Sequence, residues 1–263
     1  MKSLRVLTYN IQFGPRKQLD KLHTVLAACA ADVIALNEAD DEAVVAELAD
    51  RLDMHHVWAR GSGARHVATL SRFPILKWQI YNRKPLTQAA LATVLDFHPT
   101  SAGPVTVYNV HLRPDPYWHF ELLRWLAVGK LLQVIRQQTP GSHLLVGDLN
   151  TYAPGDPVQA DVILRHIEQG RWILQLQRYR FLRIAFARLL KAGYRDCFRH
   201  LHPTEPGFTF TRKGELVARM DYILADKMFA AALQSCRVVD DVAGVHLASD
   251  HYPVLAEFAW GNG

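Results

Sequence analysis

The sequence predicts an α/β protein in which two packed β-sheets are covered by helices, and two observations lead to this prediction. Segments with strand and helix patterns alternate at both ends of the chain, whereas residues 55–97 contain short strands separated by glycine and proline. The strand predicted at residues 32–37 is apolar nearly throughout, as in a sheet that is buried on both faces. Because helices at both ends surround a β-rich middle, two sheets between layers of helices are expected.

The N-terminal elements alternate regularly. A strand is predicted over residues 4–9, and a helix over residues 17–30 has apolar side chains at helical spacing. The strand at residues 32–37 is followed by a helix from Asp41 to about Leu52. Acidic residues fall in the first turn of this helix, where the helix dipole favours them.

The middle of the chain is richer in strands. Strands are predicted over residues 55–59, 66–70, 75–81, 90–97 and 105–110. A long helix over residues 116–138 ends at Thr139-Pro140-Gly141, and the strand after it ends at Gly147-Asp148-Leu149-Asn150. No repeat, low-complexity tract or convincing linker interrupts the 263 residues, so one domain over residues 1–263 is predicted.

Polar residues stand where four of these strands end. Asn10, Glu38, His111 and Asp148 each lie at or just past the C-terminal end of an apolar segment. In open α/β architectures such ends converge on the ligand crevice. Each residue alone is compatible with a simple strand cap, but four equivalent positions favour a shared site.

The central strand carries the clearest candidate. If the chain stays extended after Gly147, Asp148 and Asn150 project from the same face. An acid and an amide on one face make a hard oxygen site for a divalent cation, or a clamp on water and phosphate. Gly147 allows the backbone to approach a neighbour closely. A strand that ends in a turn is the simpler alternative.

The C-terminal part adds a carboxylate and a histidine. Asp221 lies within a β-rich segment, where burial of an acid is costly unless it is paired. A histidine is a natural partner, since a carboxylate fixes its tautomer. The adjacent Asp250 and His251 point to opposite sides if extended, so that one faces a metal and the other the substrate.

Six motifs together resemble the endonuclease/exonuclease/phosphatase superfamily. They occur in the order found in that family and span nearly the whole chain. The motifs are Thr8-Tyr9-Asn10, Leu36-Asn37-Glu38, Asn109-Val110-His111-Leu112, Gly147-Asp148-Leu149-Asn150, Arg219-Met220-Asp221-Tyr222-Ile223 and Ser249-Asp250-His251-Tyr252-Pro253. The resemblance implies a four-layer α/β/β/α sandwich of two mixed sheets and Mg²⁺- or Mn²⁺-dependent hydrolysis of phosphate esters.

The resemblance also implies roles for the candidate residues. Three residues are expected to hold the metal: Glu38 as the principal ligand, with Asn10 and Asp250. Five residues are expected to be catalytic. Asp148 and Asn150 position the attacking water and the phosphate, His251 held by Asp221 acts as base or charge stabiliser, and His111 stabilises the transition state. The residues do not settle whether Asp148 or His251 is the general base.

Two departures from the family pattern limit these expectations. Gln12 stands where some nucleases of the family carry an acid, which makes a second tightly held metal less favourable. The Leu36-Asn37-Glu38 motif differs from the Gln-Glu form frequent among abasic-site nucleases, so abasic-site repair is not assigned.

Residues 165–191 form a basic and aromatic segment that is predicted to be a helical insertion beside the site. It holds seven cations and one acid, Glu168, among apolar side chains. An amphipathic helix pair packed on the core, a nucleic-acid surface and an interfacial membrane helix all fit this composition. The net charge of +5 and the lack of a signal-peptide pattern favour a nuclease acting on DNA or RNA, with a phospholipid- or sphingomyelin-type phosphodiesterase or an inositol-phosphate phosphatase as the alternative. A non-catalytic binding module is the third interpretation.

Composition sets the remaining expectations. The net charge of +5 suits an anionic partner. The three cysteines, Cys29, Cys197 and Cys236, show neither a zinc spacing nor a disulfide framework. No apolar segment reaches the ~18 residues of a membrane span, and no signal-peptide pattern opens the sequence. A cytoplasmic enzyme is predicted, and its oligomeric state stays open.

Overall fold

The computed structural model describes residues 2–61, 65–86, 88–97, 103–114, 118–138, 141–165 and 182–260. The first part of the chain alternates strands with helices before its strands follow one another. Its elements are β1 (Lys2–Asn10), α1 (Leu19–Cys29), β2 (Val33–Asn37), α2 (Glu42–Leu52), β3 (His55–Ala59), β4 (Val67–Ser71), β5 (Ile75–Tyr81), β6 (Ala89–Leu95), β7 (Val105–His111), α3 (Trp118–Gln138) and β8 (His143–Asp148).

The second part has shorter elements and ends in a long strand. Its elements are α4 (Ala160–Arg165), α5 (Ile184–Lys191), β9 (Arg195–Asp196), α6 (Cys197–Leu201), β10 (Phe210–Arg212), β11 (Glu215–Ala218), β12 (Asp221–Ala225), α7 (Lys227–Ala232), β13 (Leu233–Val238) and β14 (Val254–Trp260). Most predicted elements up to β8 agree with these bounds to within about two residues. One difference is a short 3-10 helix, Arg16–Gln18, that precedes α1.

Among the described residues, two six-stranded mixed sheets lie face to face. The first has the order β13-β14-β1-β2-β4-β3 and the second β5-β6-β7-β8-β12-β9. Each contains one parallel pair at its centre, β1 with β2 and β7 with β8, between antiparallel neighbours. The predicted fold class, a four-layer sandwich of two mixed sheets flanked by helices, is confirmed.

Alternation along the strands fills three layers of core. In β1, Leu4 and Val6 face the other sheet, whereas Leu7 and Tyr9 pack in the cluster that contains the buried faces of α1 and α2. Strand β8 repeats the pattern, since Val146 lies between the sheets and its neighbours face α3 and α5. Both faces of these strands are buried, which explains their nearly continuous apolar sequences.

The basic aromatic segment is only partly described. Residues 166–181, which hold Arg171, Trp172 and Arg178 of that segment, lie outside the described residues. At its described end, α5 buries Ala185, Phe186 and Leu189. This end agrees with the packing interpretation.

The described arginines of this segment are bonded to the protein. Arg183 donates to the carbonyl oxygens of Ala153 (2.6 Å) and Asp156 (2.7 Å). The Arg188 guanidinium lies 4.2 Å from the centre of the Trp125 ring and donates to its carbonyl oxygen. Within the described ranges, no helix combines the length and apolar character needed to cross a bilayer.

Candidate active site

The two parallel strand pairs bring the predicted residues to one edge of the sandwich. Asn10 is the last residue of β1 and Glu38 directly follows β2, both in the first sheet. His111 and Asp148 end β7 and β8 in the second sheet. Since the C-terminal ends of parallel neighbours lie at the same edge, the four side chains meet where the sheets face each other.

Amide groups from the first sheet hold the Asp148 backbone and carboxylate. Asn10 Nδ2 donates to Asp148 Oδ2 (2.9 Å), and the Asp148 amide donates to Asn37 Oδ1 (2.8 Å). Asn37 Nδ2 in turn donates to Asn109 Oδ1 on β7 (2.8 Å). Asn109 Nδ2 then donates to two carbonyl oxygens of the first sheet. The site is therefore tied together across the interface between the sheets.

Gly147 is required by the close approach of β8 to β7. Its φ of 134° lies in the region that favours glycine. A Cβ atom at this position would lie 2.0 Å from the Val110 carbonyl oxygen. The predicted role of Gly147 in a close backbone approach is confirmed, and the approach is to the neighbouring strand.

Asp221 and His251 form a buried pair next to Asp148. Asp221 stands directly opposite Asp148 in the register of β12 with β8. His251 Nδ1 donates to Asp221 Oδ2 (2.8 Å), and His251 Nε2 lies 4.0 Å from Asp148 Oδ2. The expected contact between Asp221 and His251 is thus present.

The charges of these groups depend on each other. Burial would lower the pKa of His251, but the Asp221 carboxylate and its hydrogen bond, with the Asp148 carboxylate, raise that pKa above its usual range. Burial, reinforced by the Asp221 charge, raises the pKa of Asp148, although His251 and Asn10 lower it. At neutral pH, the imidazolium of His251 therefore lies next to the Asp148 carboxyl, whose basicity is increased.

His111 is buried between two carboxylates without a bonding partner. Its Nε2 atom lies 3.8 Å from Asp148 Oδ2 and 3.9 Å from Glu38 Oε1, and neither ring nitrogen has a hydrogen-bond partner among the described residues. Burial, with the charges of Arg65 and His251, lowers the pKa of His111 to about 3. The ring is therefore neutral at neutral pH. A buried nitrogen of this kind is suited to a polar ligand group.

Glu38 is paired with Arg65, a residue that the sequence did not mark as functional. Glu38 adopts a left-handed backbone (φ 50°), and Arg65 Nη1 donates to its Oε1 atom. Burial raises the pKa of Glu38, whereas the Arg65 and His251 charges lower it. The carboxylate thus already has a cation as its neighbour.

One cavity of about 280 Å³ joins most of these groups. It is lined by Gln12, Phe13, Glu38, Arg65, Pro114, Asp148, Asn150, Tyr152, Phe210, Arg212, Met220, Asp250 and His251. The polar residues lie together with an aromatic wall that sequence reasoning missed. No pattern marks that wall, because Phe13, Tyr152 and Phe210 come from separate parts of the chain.

The extended backbone assumed for residues 148–150 is not present, although Asp148 and Asn150 do line one cavity as predicted. Strand β8 ends at Asp148, and Asn150 has a left-handed backbone (φ 47°), because its amide bonds back to Asp148 Oδ1 (2.9 Å). Strand alternation therefore does not apply, although both side chains line the cavity. Asp250 and His251 also line this cavity.

The donor set fits a divalent cation. Glu38 and Asp250 supply carboxylates to the cavity, and carboxylates are hard ligands that Mg²⁺ prefers. Asn10 does not line the cavity, and its amide oxygen, a further hard donor, accepts from the Gln12 amide (3.0 Å). Another group, Asp148, Asp221 and His251, has ligand atoms within 4.8 Å of one another. In this second group, His251 Nδ1 is bonded to Asp221 and Asp148 Oδ2 accepts from Asn10, so these ligand atoms already have partners.

The fold and this site define a hydrolase of phosphate esters. Residues 7–251 match the sequence profile of the Endonuclease/Exonuclease/phosphatase family. The chain therefore belongs to the Endonuclease/Exonuclease/phosphatase family, as its six motifs predicted.

Individual relatives agree with this assignment. Exodeoxyribonuclease III of Haemophilus influenzae is 26% identical over 277 residues, which cover 97% of this chain and 100% of the relative. The 3′ phosphatase NExo from Neisseria, solved with a product DNA hairpin, shares 22% identity with a TM-score of 0.73 over 98% of this chain and 100% of that one. An AP endonuclease from Archaeoglobus fulgidus shares 19% identity with a TM-score of 0.75, at the same coverage. These structural similarities establish the fold.

Proposed function

We propose that this protein is a divalent-metal-dependent nuclease that cleaves phosphodiester bonds of DNA or RNA by in-line attack of water. The observation that carries the proposal is the single cavity in which Glu38, Asp148, Asp250 and His251 meet. Two carboxylates for a cation, a basic carboxyl and a held imidazolium are the groups that hydrolysis of an anionic ester needs.

Glu38, Asp250 and Asn10 would hold the metal, which is Mg²⁺ or Mn²⁺. When bound, such an ion polarises a phosphoryl oxygen and offsets the charge that develops on it. The raised pKa of Glu38 supports this role, because a buried carboxylate is stabilised by a nearby cation. Gln12 lines the same cavity without adding a carboxylate, which favours one metal rather than two.

Asp148 is the proposed general base. The pKa of its carboxyl is raised by burial, and Asn10 and Asn150 fix both of its oxygens. A base must be deprotonated before it can accept a proton, and His251 already carries one, so Asp148 is the better candidate. Water bound to Asp148 Oδ2 would lose its proton to that oxygen as it attacks phosphorus.

Two histidines would contact the phosphate. His251, held by Asp221, presents Nε2–H toward the cavity, where it donates to a phosphoryl oxygen and stabilises its charge. The 4.0 Å between His251 Nε2 and Asp148 Oδ2 leaves room for an oxygen that contacts both. His111, whose Nε2 atom lies between Glu38 and Asp148, would donate from neutral Nε2–H to the transition state. Asn150 lines the cavity beside Asp148 and would help to position the phosphate.

Nucleic acid is the favoured substrate class. The cavity combines Arg65 and Arg212 with the aromatic side chains of Phe13, Tyr152 and Phe210. Cations bind a phosphate backbone and aromatic rings stack on bases, so both parts of a nucleotide have partners here. The names of the relatives, an exodeoxyribonuclease and a DNA-bound 3′ phosphatase, support the same class.

A phosphodiesterase that acts on lipids at a membrane surface is the second candidate. Helix α3 exposes Leu122, Leu123, Trp125 and Leu126, each 39–46% accessible, in consecutive turns. An apolar stripe of this kind suits insertion into a bilayer interface. A cytoplasmic location stays a prediction for either candidate.

The experiment is a substrate panel of single- and double-stranded DNA, RNA, sphingomyelin vesicles and inositol phosphates, each with Mg²⁺, Mn²⁺ or EDTA. Metal-dependent cleavage of a nucleic acid at the highest kcat/KM is expected. Higher kcat/KM on vesicles would establish the lipid candidate instead. Absence of turnover on bis-p-nitrophenyl phosphate and on the whole panel would reject the catalytic proposal.

The variant Glu38→Gln tests the metal assignment within that panel. Loss of the carboxylate should raise the Mg²⁺ concentration for half-maximal activity severalfold and reduce turnover severely. Glu42→Gln is the matched control, because Glu42 is a solvent-exposed residue in the first turn of α2. Wild-type activity of Glu38→Gln at limiting Mg²⁺ would contradict the assignment.

A further inference from the structure

A second cavity lies away from the catalytic edge. Its volume is about 620 Å³, and it is lined by Leu132, Ile135, Arg136, His143, Ala192, Gly193, Tyr194, Arg195, Asp226, Lys227, Ala230 and Ala231. His143 begins β8, whereas Asp148 ends it. At about 3.3 Å per residue, the cavity and the catalytic carboxylate are roughly 17 Å apart. The cavity has the size of a small-molecule site and shares no residue with the catalytic cavity.

Three cations stand at the rim of this distal cavity. Arg136 comes from the last turn of α3, Arg195 from the edge strand β9 and Lys227 from the first turn of α7. None of the three forms an ion pair with a carboxylate in the described parts of the chain, and the nearest polar contact of Arg195 is His200 Nε2 at 3.4 Å. Positive charge from three separate elements thus converges on one space.

The single acid of the lining is already satisfied by the backbone. Asp226 Oδ2 accepts from the His143 amide (2.8 Å), and Asp226 Oδ1 accepts from the Phe229 amide at the start of α7 (2.9 Å). Its two oxygens therefore serve to join α7 to β8. The charge of the lining is positive, with three cations against one bonded carboxylate.

The floor of the cavity is apolar and aromatic. Leu132 and Ile135 of α3 are buried there, and the small side chains of Ala192, Ala230 and Ala231 also line the cavity. Tyr194 and His143 meet edge to face, with ring centres 5.6 Å apart, and are joined by a hydrogen bond of 2.7 Å between the Tyr194 hydroxyl and His143 Nε2. This bond fixes both rings, so the floor offers a preformed surface to a flat ring.

We propose that the distal cavity binds an organic anion that combines a flat aromatic body with a phosphate group, the chemical class of a nucleoside monophosphate. The ring lies on the floor of Leu132, Ile135 and Tyr194, and the phosphate lies at the rim between Arg136, Arg195 and Lys227. Arginine and lysine are the common phosphate ligands in proteins. The site is independent of the proposed catalytic function.

The test measures binding of adenosine 5′-monophosphate in EDTA by isothermal titration calorimetry. The first variant is Arg136→Gln/Arg195→Gln/Lys227→Gln, whose three side chains are solvent-exposed, so the fold is retained. The matched control is Arg65→Gln, which removes a cation from the catalytic cavity. Adenosine and inorganic phosphate are titrated separately to assign the contributions of ring and charge.

Saturable binding is expected that weakens about tenfold or more in the triple variant and is unchanged in Arg65→Gln. Adenosine and phosphate should each bind at least about tenfold more weakly than the nucleotide. Hydrolysis of bis-p-nitrophenyl phosphate by the triple variant should equal that of wild type. Absence of saturable binding, loss of binding in Arg65→Gln alone, or equal affinity for inorganic phosphate would each overturn the proposal.

Discussion

Replacement of Asn109 by alanine should destabilise the protein strongly, because its side chain joins the two sheets. Asn109 Nδ2 donates to the carbonyl oxygens of Leu36 (3.0 Å) and Ala68 (2.8 Å), and Asn109 Oδ1 accepts from Asn37 Nδ2 (2.8 Å). All three bonds are buried. Water cannot replace the lost partner, so each bond is expected to contribute about 1–1.7 kcal/mol, or about 3–5 kcal/mol in total.

The assay is urea unfolding followed by circular dichroism, with a thermal scan alongside. A loss of about 3–5 kcal/mol lowers the melting temperature by at least about 6 °C in a domain of this size. Asn82→Ala is the matched control, because its amide donates one solvent-exposed bond to the Arg60 carbonyl oxygen (3.0 Å). Its unfolding free energy should stay within about 1 kcal/mol of wild type. Equal losses in the two variants would refute the argument that burial of the bonds sets their contribution.

Three further predictions follow from other contacts. Arg219→Met should cost about 3–5 kcal/mol of unfolding free energy, because it leaves buried Asp196 without its cation and Asp156 with Arg199 alone. Asp221→Ala and His251→Ala should each reduce kcat greatly and the double variant little more, as expected for groups that act as one unit. Arg65→Gln should bind Mg²⁺ more tightly in calorimetry, since a cation that competes for Glu38 is removed, and should raise KM for nucleic acid.

Each of these predictions has a distinct contradicting result. For Arg219, the control is Arg237→Met, which removes an exposed pair with Asp241 and should leave stability nearly unchanged; equal losses would contradict the role of burial. Independent, multiplicative losses would argue against coupling of Asp221 and His251. Unchanged or weaker Mg²⁺ affinity in Arg65→Gln would show that the arginine does not compete with the ion.

The strand ends were predictable because their signal is local. An apolar run followed by a polar residue marks the end of a buried strand, and the parallel pairs then bring Asn10, Glu38, His111 and Asp148 to one edge. The order of the six motifs along the chain then predicted the family correctly. The catalytic and metal-binding roles of these residues stay predictions, as does the single domain over residues 1–263.

The failures of sequence reasoning came from tertiary contacts. The pair Asp156-Pro157 has the sequence pattern of a helix N-cap and first helical residue, yet α4 begins only at Ala160. The Asp156 carboxylate bonds instead to Arg219 Nε (2.7 Å) and to Arg199. The buried Arg219, from the short link between β11 and β12, thus binds the carboxylate that would otherwise cap the helix, and no local pattern in the sequence can predict that contact.

The contribution of the inter-sheet amides was equally hidden. Asn37 lies within a recognised motif, yet its side chain turns away from the cavity and bonds to the Asp148 amide and Asn109. The neutral state of His111 could not be predicted from the sequence either, because it depends on full burial and on the nearby charges of Arg65 and His251. Arg65 itself lies in the loop between β3 and β4, and the sequence does not show that this loop brings it close to Glu38.

The bond from Asn10 to Asp148 has a consequence for how the enzyme responds to heat and denaturant. The proposed base is on one sheet, and the amide that orients its carboxylate is on the other. A slide of one sheet over the other by about 1 Å stretches this bond beyond hydrogen-bonding distance, well before either sheet loses its own ladder. Turnover therefore depends on the alignment of the two sheets. Activity should be lost at lower urea concentrations than those that unfold the secondary structure.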